Sequence, residues 1–119
     1  MRTLKITALI LAVSCFPLQA AELLGWIGCD SMDVEVSIRE CTLIIEKEKD
    51  KDFASRAFFF RGESHRRAGE NDLAIADYRS ALRLDPRYAD AYQRLAIVRM
   101  HKAQFQRKLT NYLSKCVSN

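Results

Sequence analysis

Four cysteines and two histidines carry most of the chemical range of this 119-residue chain, and their spacing narrows it quickly. No two cysteines stand in a CxxC pair, and His65 and His101 are too few and too scattered for a zinc site. Cys116 and His101 are the only thiol and imidazole that share a region, with no motif to hold them together. There is no glycine-rich phosphate loop and no pair of carboxylates in an apolar setting. Catalysis, metal binding and cofactor binding are therefore not expected. What remains for the thiols is structural. Cys29 and Cys41 lie close in sequence at the weakly supported amino-terminal end and are the expected disulfide, a loop closure of about 3 kcal/mol in the chain-entropy model. Cys116 sits on an apolar helical stripe, either as a buried thiol or as a bridge between two copies.

A disulfide needs an oxidising compartment, and the start of the chain points to one. Arg2 and Lys5 precede an apolar run from Ile6 to Phe16, Pro17 ends it, and Leu18-Gln19-Ala20 offers a cleavage site. Residues 1–20 read as an export signal peptide, with a cut after Ala21 as the alternative. The apolar run falls short of the roughly 20 residues a membrane span requires. Cys15 is a poor match to a lipid-modified cysteine, because Ala12 and Ser14 stand where Leu and Gly or Ala are preferred. The expected location is periplasmic or secreted, with no membrane span after cleavage.

Loss of Arg2 and Lys5 lowers the formal charge from +4 to +2, but the charge is unevenly spread. Residues 22–52 carry nine acids and four bases, whereas residues 53–119 carry thirteen bases and six acids. No acid follows Asp90. Such a basic region suits an anionic partner surface, and export argues against nucleic acid.

The elements that position these residues are helices, five at most. Ser31 or Asp33 can cap a first helix with Val34, Ile38, Cys41 and Ile45 at helical spacing. The run from Glu46 to Asp52 alternates in sign and reads as a solvated helix end and linker. A second helix is expected over 55–68, ending at Gly69 in a left-handed turn. A third, capped by Asn71 or Asp72, runs to about Leu84 and stops before Pro86. Ala89 to about His101 begins the next, with Tyr92, Leu95 and Ala96 packing inward. Beyond it, either a turn at Lys102 to Gln104 leads to a separate last helix, or one helix runs from Ala89 to about Ser118. The turn is the preferred expectation, because Phe105 falls at an aromatic turn position.

Phe58, Gly62, Ala74, Tyr78, Ala81 and Pro86 stand at the spacing of one 34-residue helix–turn–helix unit. Tyr92 and Ala96 recur 34 residues after Phe58 and Gly62. The pattern resembles the tetratricopeptide repeat family, specifically its small bacterial exported members. Small residues at Gly62, Ala74 and Ala81 let helices approach closely, while Phe58, Tyr78 and Leu82 fill the space between them. Arg61 and His65 depart from the family, which favours Leu and an aromatic there. The Arg61 stem is expected to cover apolar surface with its head at the rim, and His65 to be packed and hydrogen-bonded.

The resemblance implies an all-α fold, a short α-solenoid of about two and a half units. Residues 21–54 hold the lead segment and a half-repeat helix, in which Ser37, Cys41 and Ile44 match Ala74, Tyr78 and Ala81. Residues 55–88 form the complete unit, and residues 89–119 a degenerate one with a capping helix. The resemblance further implies a concave groove lined by Arg56, Phe59, Glu63 and Arg66, then Asp90, Gln93, Ile97 and Met100. That mixture suits a peptide or protein partner with apolar and acidic side chains. The implied function is a protein-interaction module of the bacterial envelope. The alternative is a scaffold subunit of an envelope or secretion complex, with self-association open.

Overall fold

The structure, a computed structural model, describes residues 26–118. The expected signal peptide at 1–20 and Cys15 lie outside the described residues. Among the described residues the regular structure is helical, without strands. Residues 26–29 are helical and lead into α1 (Val34–Lys47), α2 (Lys51–Arg67), α3 (Asn71–Leu84) and α4 (Ala89–Val117). Each helix packs on the next in chain order, which is the stacking of a helical solenoid.

Local chemistry sets most of the boundaries. Asp33 caps α1, accepting from the Val36 amide at 3.0 Å. Asp50 caps α2, accepting from the Asp52 amide at 2.8 Å and the Phe53 amide at 3.3 Å. α2 therefore starts at Lys51, four residues ahead of the expected 55, because a linker aspartate supplies the first-turn acceptor. Gly69 takes φ 78° as expected. The Gly69 amide bonds to the Arg66 carbonyl and the Glu70 amide to that of His65, closing the helix end in a Schellman turn. That turn delivers the chain straight into α3 at Asn71, so neither Asn71 nor Asp72 caps it. The cap position is Glu70, with no side-chain bond to the helix. α3 ends at Leu84, ahead of Pro86.

The main core lies between α2, α3 and α4 and is built on Phe59, Tyr78, Leu95 and Val98, with Ala74, Ala81 and Ala91 allowing close approach. Gly62 faces the Tyr78 ring so closely that a Cβ there would lie 2.9 Å from Cε1. A second cluster joins Cys29, Cys41 and Ala57, with Ile44, Ile45 and Phe60 against it. The Cys29–Cys41 disulfide is formed, with the two Cα atoms 4.6 Å apart.

The carboxy-terminal expectation is corrected. No turn interrupts residues 102–104; α4 is one helix of 29 residues. Lys102, Ala103 and Gln104 are all good helix formers, and Ala103 stands where a turn would need the left-handed conformation that glycine adopts. A folded-back last helix would also bring Lys108 and Lys115 to positions that call for small residues. Without that helix, Tyr92 and Ala96 are exposed rather than inward, while Ala91, Leu95 and Val98 face α3. Cys116 is exposed as well, not buried.

Candidate functional site

The eight residues expected on the groove face fall on α2 and α4, one helical face each. They do not all behave as open surface. Phe59 is 9% exposed and forms the floor, its ring 4.9 Å from that of Tyr88 and 5.9 Å from that of Tyr78. Glu63 is 8% exposed. Arg66 and Ile97 are half-buried, and Arg56, Asp90, Gln93 and Met100 are exposed. The structure brings Glu63 and Arg66 together, and no side-chain hydrogen bond or ion pair joins Asp90, Gln93 or Met100 to them.

Glu63 is the centre of the face. Arg66 donates to its two carboxylate oxygens at 3.3 and 3.0 Å, and the Tyr78 hydroxyl donates from within the core. Arg94 Nε reaches it from α4 at 3.5 Å, which ties the two helices across the face. Burial pushes the Glu63 carboxyl up, but the bonds from Arg66 and Tyr78 and the charges of Arg66 and Arg94 outweigh it. Its pKa lies below the ordinary carboxylate value. The Tyr78 hydroxyl is raised by burial and by its bond to Glu63, and so stays a donor. Burial likewise raises Tyr88. The result is a fixed carboxylate that orients two guanidinium groups, with the Arg56 guanidinium 4.9 Å above the Trp26 ring nearby.

Behind this face, Arg61 does not simply reach a rim. It forms a two-pronged ion pair with Asp77 on α3, both bonds 2.8 Å, and donates to Thr42 on α1 at 3.0 Å. One side chain thus ties three helices. His65 is mostly buried and hydrogen-bonded, its Nδ1 lying 2.7 Å from a Glu70 carboxylate oxygen.

Trp26, Tyr88 and Arg94 belong to this region and were not among the expected residues. A signal for Trp26 exists in the sequence. Gly25 precedes Gly62 by 37 residues, the same offset that separates Ser37 from Ala74. The segment before α1 is therefore in register as a leading helix, and it puts Trp26 in the position of Glu63 and Cys29 in that of Arg66. The disulfide from Cys29 to Cys41 then occupies the site where Arg66 and Tyr78 meet around Glu63 one unit later.

This arrangement defines a helical-repeat protein whose successive helices pack through small residues. Residues 62–101 match the family described as TPR repeat, from the middle of α2 to the point where α4 leaves α3. The chain carries this tetratricopeptide repeat, a module that generally mediates protein–protein interaction and is typically non-enzymatic. No curated protein and no solved structure matches the chain. Among the described residues no helix is long and apolar enough to cross a membrane.

Proposed function

We propose that the protein is an exported interaction module of the bacterial envelope, periplasmic or secreted, that binds an extended or helical segment of a protein partner across the α2–α4 face. The observation that carries this reading is the Glu63 cluster. A buried carboxylate holds Arg66 and Arg94 in fixed positions, so little side-chain entropy is lost when a partner engages them. Beside these donors stand the apolar Ile97 and Met100 and the polar Gln93, a combination suited to a segment with acidic and apolar side chains. The Cys29–Cys41 bond supports an oxidising compartment.

The test is a binding screen with short peptides carrying Asp or Glu beside Leu or Phe, read by fluorescence anisotropy. Arg66→Glu should weaken the best of them by about 1–3 kcal/mol, as for a hot-spot residue. Peptides that bind wild type and the Arg66→Glu variant equally well would place recognition elsewhere. A second reading, a subunit built into a larger assembly, is favoured by the unpaired end of α4.

A further inference from the structure

α4 carries one seam along its whole length, and only half of it is covered. Ala91, Leu95, Val98, Lys102, Phe105, Leu109, Tyr112 and Cys116 follow one another at alternating steps of four and three, the heptad spacing of a helix–helix seam. Ala91, Leu95 and Val98 are 0, 6 and 1% exposed against α3, whereas Phe105, Leu109 and Tyr112 are 67, 46 and 67% exposed. The change comes where α3 begins, since Lys102 pairs with Asp72 in its first turn. From there α4 continues for fifteen residues, a projection of about 22 Å at 1.5 Å per residue. Leu113 broadens its apolar side, and the corner with α3 is a notch of ≈ 420 Å³ that Leu73, Phe105 and Leu109 help to line.

The seam also has a charged edge. Arg94, His101, Lys108 and Lys115 recur every seven residues along one side of it. Where the seam is covered, two of this helix's cations meet carboxylates across the contact: Arg94 meets Glu63, and Lys102 meets Asp72. Among the described residues no carboxylate pairs with Lys108 or Lys115, and no acid follows Asp90 on the helix itself.

We propose that the projecting half of α4 is a docking seam for an acidic amphipathic helix of a partner protein, lying end to end with α3. Its apolar side covers Phe105, Leu109 and Tyr112, and its carboxylates face Lys108 and Lys115. A second copy of this chain fits less well. Antiparallel pairing of two projections sets Lys108 opposite Lys115 of the second copy, like charge against like. Parallel pairing drives the second α4 into the space held by α3.

Two synthetic helical peptides with the same leucine seam serve as probes, one with Glu and one with Lys along its edges. By anisotropy the Glu peptide should bind at least about tenfold more tightly than the Lys peptide, with an affinity that falls as salt rises. Leu109→Asp should abolish binding, while the core keeps its thermal transition. The double variant Lys108→Glu/Lys115→Glu, which leaves seam and helix propensity intact, should reverse the preference between the peptides. Equal binding of both, binding of neither, or sedimentation showing a dimer with the Leu109 stripe buried would overturn the proposal. Because Arg66→Glu leaves this surface unchanged, its effect separates failure here from failure of the α2–α4 face.

Discussion

Replacing Arg61 by Leu, the residue usual at this place in the repeat, should destabilise the protein rather than restore a consensus. The Arg61 and Asp77 side chains are 20 and 8% exposed, and two bonds of 2.8 Å join them. Arg61→Leu leaves the Asp77 carboxylate largely desolvated, with His65 Nε2 at 3.8 Å as the one substitute partner among the described residues. Breaking one side of a buried pair costs about 3–5 kcal/mol, and the residual exposure and His65 bring the expected loss to about 2–3 kcal/mol. Removing both charges is different. Arg61→Leu/Asp77→Ala should lie within about 1 kcal/mol of wild type, because no charge is then stranded. Thr42 is not orphaned in either variant, since its hydroxyl still donates to the Ile38 carbonyl. Urea unfolding of wild type, Arg61→Leu, Asp77→Ala and the double variant, followed by circular dichroism, closes the cycle. If Arg61→Leu alone is neutral, or the double variant is no better than the single one, the pair does not tie α2 to α3 as described.

Gly62→Ala should cost about 1–2 kcal/mol despite the helix propensity gained, because the new Cβ meets the fully buried Tyr78 ring at 2.9 Å; a rise in the thermal midpoint would contradict the close packing. Reduction of the Cys29–Cys41 bond should lower stability by up to about 3 kcal/mol and loosen the segment before α1, which hydrogen exchange at residues 26–33 would register. Glu63 is depressed in the fold, so its contribution is present above the ordinary carboxylate value of 4.5 and is lost as pH falls through the lower folded value. The stability gap between wild type and Glu63→Gln should accordingly narrow below pH 4.5; a gap constant down to pH 2.5 would deny the carboxylate its role.

The central hairpin was legible in the sequence because its signals are local and agree with one another. Gly69 marks the turn, Pro86 the stop, and Gly62, Ala74 and Ala81 the faces that touch. The Cys29–Cys41 pair followed from proximity and from the expectation of export. The fate of α4 was not legible, because the stripe through Phe105, Leu109, Tyr112 and Cys116 has the same spacing whether it belongs to a new helix or continues the old one. Only the absence of a residue suited to a left-handed turn at Ala103 decides it. Tyr92 and Ala96 were misplaced for the same reason, since their burial depends on a helix that does not fold back. Phe59, expected in the groove, became its floor once Tyr88 covered it. Asp50 was hidden in an alternating-charge run, where a capping aspartate looks like any other acid. Asp77 gave no sign of being the partner of Arg61, as nothing short of the helix pairing brings residues 16 apart into register.

The account rests most heavily on α4 running straight past its neighbour and leaving half its seam open. Spin labels on Cys116 and on Tyr92→Cys, with the Cys29–Cys41 bond intact, measure this directly by double electron–electron resonance. An unbroken helix separates the two backbone positions by about 36 Å at 1.5 Å per residue. A distribution centred near that distance is predicted, whereas one centred near 10–15 Å, the spacing of a folded-back helix pair, would contradict it.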